Sequence, residues 1–446
     1  MQVLRQDIPS LPVFFKLMAP HKPHVKHRPR RGVTPPPTTL MLIKSQTANE
    51  SQRHLLKKRR IQRRIQKISD HSVPSPTSKS PFNRVINKQV RQRWMEIAAD
   101  TQRIVLGDGQ YVEERCVPVV PCALAQRIEG FSTNPLGQVD SSTTVAVVHD
   151  ISEQVQRSRL ATTFYPHHSD VLANWTLPSQ SSPLSTPHRT HIEFTKQSTL
   201  TAARRLAQHA PATSARVALL SSASRKRPGG GFLHGGDEQE ERLARSSSLV
   251  ASLSCPTAKD FYTEHNLFWT QDGSGFHDRS MVYSPGVVVF RSDPGDKDSK
   301  DPIGGSFISP YLIDVLSVVP VNAAVVRSRY TSATERVSDE AVRCSMKERM
   351  ARALRVFEEQ GNRHIILGAF GCGSSENKVD IVAEIWAELL VCGDMEGVGG
   401  SKRSARFKDS FDTVVFAVQG KSFSAFREAF EMRLFEADLV DTLTSE

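Results

Sequence analysis

The chain lacks the features that mark most secreted and membrane proteins. Its six cysteines, at positions 116, 122, 255, 344, 372 and 392, include no closely spaced pair, so neither a disulfide scaffold nor a C-x-x-C metal or redox motif is indicated. No apolar run approaches the ~18 residues that a membrane-spanning helix needs, and no secretory signal is recognisable. These absences predict an intracellular protein with reduced thiols and no membrane partner.

Acidic residues are scarce in the first fifth of the chain. Residues 1–93 hold 21 lysines and arginines but only three acids, Asp7, Glu50 and Asp70, and therefore carry +18. The whole chain carries +11, which leaves −7 for residues 94–446. The sequence pI of about 9.4 is thus a property of the N-terminal region, and a nucleic-acid partner is expected only there.

The same region has too little apolar surface to bury. With three prolines at 35–37 and the cluster KKRRIQRR at 57–64, its composition predicts a disordered basic tail over residues 1–84. The cluster is consistent with a nuclear import signal read by an import receptor, with a nucleic-acid contact, or with a solvated charge run that has no partner. We expect a nuclear or cytoplasmic protein, with a mitochondrial transit peptide as the alternative.

The fifteen histidines show no metal-ligand framework. His167 and His168 lie in a stretch rich in serine and proline, and we interpret both as surface histidines. The sequence therefore predicts no metal, and it predicts no cofactor.

Strands alternate with helices in the second half of the chain. The patterns predict strands at 191–195, 215–220, 287–291, 311–321, 364–367 and 411–418, and helices at 199–208, 237–253, 334–360, 379–391 and 423–434. Such alternation predicts an α/β fold with a mostly parallel or mixed sheet and helices on both faces. We expect this core to span residues 189–437, followed by a short tail, 438–446.

The region before the core is expected to be helical. Residues 94–106 have helical periodicity that ends at Gly107, and two short helical or irregular segments are expected to follow. We therefore interpret residues 85–163 as a helical N-terminal extension of the catalytic domain. Residues 164–188, which are rich in serine, proline and threonine, are predicted to form a low-complexity loop insertion.

The most informative stretch is PGGGFLHGGDEQEE, at 228–241. Gly229, Gly230 and Gly231 follow a predicted strand and precede a predicted helix. At such a position, free N–H groups and the helix dipole favour an anion, and glycine lets the backbone approach it closely. We interpret these glycines as a phosphate-binding loop rather than a flexible linker.

The acids that follow have an ordinary explanation when spacing alone is considered. Glu238, Glu240 and Glu241 lie in a first helical turn, where they complement the helix dipole. Glu241 and Arg245 have the spacing of a common surface ion pair. Spacing therefore favours a structural role for these acids.

A second glycine loop, LGAFGCG at 367–373, also follows a predicted strand. Because ligands bind beyond the carboxyl ends of strands in such sheets, we expect both loops at one edge. Gly371, Cys372, Gly373 and Ser374 are predicted to offer N–H groups to a second phosphate, although a tight turn explains them equally well. Cys372 has no evident histidine partner and is not expected to act as a nucleophile.

The pattern of three glycines, a seven-residue spacer and Gln-Glu-Glu resembles the signature of the microbial-type poly(ADP-ribose) glycohydrolase family. The flanks SASRKRP (222–228) and RSSSL (245–249), the stretch YSPGVVVF (283–290) and the second glycine loop are also similar to this branch. The resemblance covers roughly residues 85–437, with gaps, and implies a macrodomain-like fold. It also implies that Glu241 is the catalytic acid and that Glu240 and Gln239 hold the ribose being cleaved.

The implied reaction is hydrolysis of ribose–ribose O-glycosidic bonds, releasing ADP-ribose from polymer or from ADP-ribosylated protein. Such bonds break through an oxocarbenium-like state. The leaving hydroxyl needs a proton from a glutamate kept neutral by burial and like charge, and the ionised glutamate then activates water. Three alternatives stay open: an ADP-ribose reader without hydrolysis, a hydrolase of single protein-linked units, and a nucleic-acid-associated scaffold acting through the tail.

The sequence departs from the family pattern after the second loop. Family members continue with an apolar residue and a phenylalanine that stacks on the ligand, whereas this chain has SSEN at 374–377. Ser221 and Arg227 also stand where the family often has asparagine. The missing aromatic side chain and the added acid, Glu376, predict weaker binding of ADP-ribose.

Overall fold

The computed structural model describes residues 81–118, 142–177, 190–209, 216–294, 301–394 and 404–444. The chain divides into two units, Met1–Asn87 and Lys88–Glu446. Of the first unit only the helical residues 81–87 are described. The predicted tail therefore lies almost entirely outside the described residues, as do residues 178–188 of the predicted insertion.

The region before the core is only partly helical. Helix α1 (Pro81–Leu106) ends before Gly107 as predicted, and α2 (Ser152–Ala161) is the second helix. Between them, β1 (Gln110–Pro118) and β2 (Ser142–Asp150) form a two-stranded antiparallel sheet. The prediction of helical or irregular segments is wrong for these strands. Strand β2 leaves apolar side chains such as Val148 exposed (69%), which weakens the alternation that identifies a half-buried strand.

A seven-stranded mixed sheet forms the core, in the order β3-β6-β7-β5-β8-β9-β4. Its strands are β3 (Thr163–Tyr165), β4 (His191–Thr195), β5 (Val217–Ser222), β6 (Met281–Arg291), β7 (Phe307–Val318), β8 (His364–Leu367) and β9 (Thr413–Ala417). The run from β7 to β4 is parallel, whereas β6 and β3 are antiparallel to their neighbours. Strand β3 was not predicted, because three residues are too few to show a period.

Helices cover both faces of this sheet. They are α3 (Asp170–Ala173), α4 (Thr199–His209), α5 (Gln239–Ser246), α6 (Leu249–Leu253), α7 (Pro256–Gln271), α8 (Ala323–Arg329), α9 (Glu335–Glu359), α10 (Val379–Ala387, continued by a π turn, Glu388–Cys392) and α11 (Ser422–Thr444). In β5, Ala218 and Leu220 pack with α9, α10 and α11, while Val217 and Leu219 pack with α4 to α7. The predicted α/β architecture is confirmed. No helix in the described part of the chain is long and apolar enough to cross a membrane.

Local signals explain which helices could be predicted. Ser198 begins α4 as expected, since its Oγ accepts the N–H of Thr201 (3.1 Å). The predicted helix 237–253 is instead two helices, because Ser247 leaves the helix to bridge Val289 in β6. Helix α7 was not predicted, although Pro256 at its first turn is a start signal.

Candidate functional site

A cavity of about 730 Å³ opens at the carboxyl ends of β5 and β8, a volume suited to a cofactor-sized ligand. Gly230 and Gly231 of the first loop and residues 368–375 of the second loop line it, together with Gln239, Glu240 and Glu241. The second loop is joined to the end of β5, where the Gly371 N–H donates to Ser222 Oγ (3.4 Å). The prediction that both loops lie at one edge of the sheet is confirmed.

Backbone amides of the first glycine loop hydrogen-bond the carboxylates of two glutamates in α5. The N–H of Gly229 donates to Glu240 Oε1 (3.3 Å), and the N–H of Gly231 donates to Glu241 Oε1 (2.7 Å). The N–H of Gly230 donates to the Arg227 carbonyl (3.1 Å). All three amides therefore have partners within the protein. The prediction that they cradle a phosphate needs correction, because the two glutamates of α5 fold back onto them.

Glycine is required here for close approach to α5. Gly229 and Gly230 adopt positive φ angles of 68° and 55°, which favour glycine. A Cβ on Gly231 would lie 2.6 Å from Glu241 Oε1, and one on Gly236 would overlap the same carboxylate. The glycines thus make room for the Glu241 side chain.

Glu240 is buried, with 2% of its surface exposed. Its Oε2 accepts the N–H of Ser224 (2.5 Å) in addition to the Gly229 contact at Oε1. Burial raises the pKa of Glu240 to about 8, and the neighbouring Glu241 charge adds to the rise, while the two N–H donors oppose it. Glu240 therefore holds a proton near neutral pH.

Glu241 is half-buried at the cavity wall. Its Oε2 accepts the Glu238 N–H (2.8 Å), and the Glu238 side chain in turn accepts the N–H of Glu241, which completes a capping box. The carboxylate is thus fixed at both oxygens. The expected pair with Arg245 is wrong, because Arg245 is buried and donates to the Gly236 carbonyl (2.7 Å).

Gln239 fastens α5 to the sheet. Its Oε1 accepts the Ser222 N–H (2.9 Å), and its Nε2 donates to the Leu220 carbonyl and to Thr199 Oγ1 (both 3.1 Å). Gln239 therefore positions the two glutamates relative to the end of β5, in addition to lining the cavity.

The second loop has unused amides. The Cys372 N–H donates to the Ala369 carbonyl (3.1 Å), whereas the N–H groups of Gly373, Ser374 and Ser375 have no hydrogen-bond partner within the residues that the structure describes. Asn377 holds the loop in shape, since its Nδ2 donates to the Gly371 carbonyl (2.9 Å) and to the Val321 carbonyl (2.8 Å). A fixed loop with free amides is suited to bind an anion.

Cys372 also lines this part of the cavity. Burial raises the pKa of its thiol to about 12, and the charge of Asp380 acts in the same direction. The thiol therefore stays protonated, which agrees with the expectation that Cys372 is not a nucleophile.

Three further acids line the cavity: Asp237, Glu238 and Asp293. Glu238 reaches the second loop: its side chain hydrogen-bonds Ser374, and burial together with the Glu241 charge raises its pKa. Asp293 follows β6 and is buried, which raises its pKa. The position of Glu238 as the helix N-cap was readable in the sequence, whereas the burial of Asp293 was not.

The segment that leads into the first glycine loop is basic. Arg225, Lys226 and Arg227 line the cavity just before the first glycine loop. The Arg225 guanidinium lies 4.0 Å from the Trp269 ring centre, and Arg227 Nε donates to the Gly230 carbonyl (2.8 Å). These three cations contribute positive charge to the cavity, which favours an anionic ligand.

Comparison with known proteins agrees with this geometry. Residues 138–292 match the family model described as the microbial-type PARG catalytic domain. The chain is 30% identical to the poly(ADP-ribose) glycohydrolase of Thermomonospora curvata, covering 77% of this chain and 99% of that one with a TM-score of 0.55. The structure of that protein bound to the inhibitor ADP-HPD gives 29% identity, the same coverage and a TM-score of 0.54.

A more distant structure is poly(ADP-ribose) glycohydrolase from Deinococcus radiodurans in complex with ADP-ribose. It is 29% identical to this chain, covers 62% of it and 97% of its own length, and gives a TM-score of 0.49. No curated protein matches the chain.

Proposed function

The chain belongs to the microbial-type poly(ADP-ribose) glycohydrolase family, and we propose that it uses Glu241 as the general acid and base of this reaction. It is a glycoside hydrolase that acts on ribose–ribose O-glycosidic bonds of poly(ADP-ribose). The observation that carries the assignment to Glu241 is its carboxylate, fixed at the cavity wall by the amides of Gly231 and Glu238.

The proposed reaction has two proton transfers. Glu241 donates a proton to the leaving ribose oxygen while the bond from that oxygen to the anomeric carbon breaks. The resulting oxocarbenium ion takes up water, whose proton returns to Glu241. The products are a shortened polymer and ADP-ribose, so atoms and charge balance without a metal or cofactor.

Glu240 is proposed to hold the ribose. Because its carboxyl carries a proton near neutral pH, it can donate one hydrogen bond to a ribose hydroxyl and accept another. Gly230 and Gly231 let that ribose approach Glu241 closely. Gln239 holds the start of α5 against the end of β5.

The diphosphate is proposed to lie against the second loop. Gly371, Cys372, Gly373 and Ser374 line the cavity there, and Arg225, Lys226 and Arg227 are part of the same lining. Negative charge on the diphosphate also stabilises the oxocarbenium ion beside it.

The direct test compares wild type with Glu241→Gln, which keeps the shape of the side chain but removes its titrating proton. ADP-ribose release from automodified polymer should fall by about 10²–10⁴-fold. Calorimetric binding of ADP-ribose should persist. Full activity in the variant would contradict the assignment, and a wild-type protein that binds without hydrolysis would indicate the reader alternative.

Substrate length can be resolved on the same preparations. Polymer and singly ADP-ribosylated protein should be offered at equal ADP-ribose concentration, and we expect faster release from polymer. Faster release from the single unit would favour the mono-ADP-ribosyl hydrolase.

We further propose that the core is macrodomain-like and that the basic tail acts in location, in the nucleus or the cytoplasm. The support for the tail is its composition, which suits an import receptor or nucleic acid. Deletion of residues 1–80 should leave turnover within a few-fold and change the location of the protein in cells. A folded but inactive truncated protein would contradict this division.

A further inference from the structure

Three side chains of metal-ligand type meet outside the cavity. They are His167, which follows β3, Glu264 in α7, and Asp278, which precedes β6. One ligand atom from each lies within 4.8 Å of the other two, and His167 Nδ1 is 3.1 Å from Asp278 Oδ2. Because they come from three separate segments, no sequence motif indicates that they meet.

The ligand atoms are oriented by contacts around them. Asp278 Oδ1 accepts the Ser280 N–H (2.7 Å), which turns Oδ2 toward His167. The His167 carbonyl accepts a hydrogen bond from Arg352 (2.9 Å), which holds the turn that carries the imidazole. Such supporting hydrogen bonds are typical around metal ligands.

The third side chain has an oxygen without a donor. Glu264 Oε2 is buried and has no hydrogen-bond partner among the described residues. A buried carboxylate oxygen beside a second carboxylate is unfavourable unless a cation compensates both.

We propose that His167, Glu264 and Asp278 bind one divalent transition-metal ion, with Zn²⁺ as the fitting species. One imidazole nitrogen and two carboxylate oxygens form a donor set that Zn²⁺ accepts, whereas Mg²⁺ and Ca²⁺ prefer oxygen ligands alone. The three residues are not among the described residues that line the catalytic cavity. The ion is therefore structural, joining the turn after β3 to α7 and to the segment before β6. His167 and His168 are both exposed, as the sequence predicted, and the proposal adds a ligand role for His167.

The test is Zn²⁺ titration of tag-free, chelator-treated full-length protein by calorimetry, with thermal unfolding measured in parallel. Wild type should bind one more Zn²⁺ ion than His167→Gln and Asp278→Asn, or bind it at least about tenfold more tightly. Added Zn²⁺ should raise the Tm of wild type but not the Tm of these two variants. His167 is mostly exposed (56%), so His167→Gln should fold normally even if Asp278→Asn does not.

His168→Ala is the matched control. Its ring packs edge-on against His167, with centroids 5.1 Å apart, but it is not one of the three ligands. This variant should bind Zn²⁺ like wild type. Equal Zn²⁺ binding by wild type and His167→Gln, or no binding by wild type, would overturn the proposal and leave only a His167–Asp278 ion pair.

Discussion

The two glycine loops at the cavity differ in the partners of their amides. In the first loop, the N–H groups of Gly229 and Gly231 donate to Glu240 and Glu241. In the second loop, the N–H groups of residues 373–375 have no partner within the described part of the chain. Both loops follow a strand and are rich in glycine, so the local pattern does not distinguish them. The first loop positions Glu240 and Glu241, which we propose act on the ribose, and we propose that the second receives the diphosphate.

Among variants of the two loops, the largest effect is expected from Gly231→Ala. Its φ of −97° permits alanine, but the added Cβ would lie 2.6 Å from Glu241 Oε1 and would displace that carboxylate. A misplacement of about 1 Å costs on the order of 10²-fold in rate, so kcat on polymer should fall by about that factor. Unchanged kcat would separate the first loop from catalysis.

Because Glu240 is neutral in the folded protein, we predict that the free energy of unfolding depends on pH. The unfolded chain ionises this carboxyl near its ordinary value of 4.5, whereas the folded chain does so at about 8. The folded form therefore binds more protons between these values, and its contribution to stability is lost as pH rises from about 4.5 to about 8. Glu240→Gln should remove this decline.

Urea unfolding at pH 5 and pH 8 measures that difference. The free energy of unfolding should fall more steeply with pH in wild type than in Glu240→Gln, by up to a few kcal/mol, since one pKa unit corresponds to about 1.4 kcal/mol. Parallel pH profiles in the two proteins would mean that the pKa of Glu240 is not raised by folding.

Ser375→Phe tests the second loop from the ligand side. Ser375 lines the cavity, and its carbonyl accepts the Ala323 N–H (2.8 Å), so its backbone is held in place. An aromatic ring there should stack on the base of ADP-ribose, worth about 1–3 kcal/mol. Calorimetric affinity for ADP-ribose should rise accordingly. Unchanged affinity would mean that the base lies elsewhere in the cavity.

The smallest effect concerns Glu238, whose side chain contacts Ser374 of the second loop. Glu238→Gln keeps an oxygen that can accept the Glu241 N–H but removes a negative charge near the proposed diphosphate. Partly exposed charge pairs contribute about 0.2–1 kcal/mol, so ADP affinity should rise no more than about fivefold. Weaker ADP binding would place the diphosphate away from Glu238.

Sequence patterns predicted the parts of the site that depend on local order. Strands 191–195 and 364–367, the meeting of the two loops and the position of Glu240 and Glu241 all follow from periodicity and from the edge rule for parallel strands. Patterns could not show that the first loop's amides bind those glutamates, because that requires α5 to fold back over residues 229–231.

Sequence patterns also could not predict which charged side chains are buried. Arg245 has the spacing of a surface pair with Glu241, but it is 3% exposed and lies over the Trp94 ring, 4.8 Å from its centre. The residues that meet at His167 are likewise far apart in sequence. Such features depend on long-range packing, which a single sequence does not display.

The division between the loops is tested most directly by the calorimetric affinity for ADP of two alanine variants, Gly231→Ala and Gly373→Ala. ADP carries the adenosine and the diphosphate but no terminal ribose, so its affinity reports the phosphate site without the ribose that is proposed to lie at Glu241. At Gly373, an added Cβ would lie 3.0 Å from Glu238 Oε2, at the end of a flexible side chain, so the variant should fold. We predict that Gly373→Ala weakens ADP binding and that Gly231→Ala leaves it unchanged. Weaker binding by Gly231→Ala together with normal binding by Gly373→Ala would contradict the account.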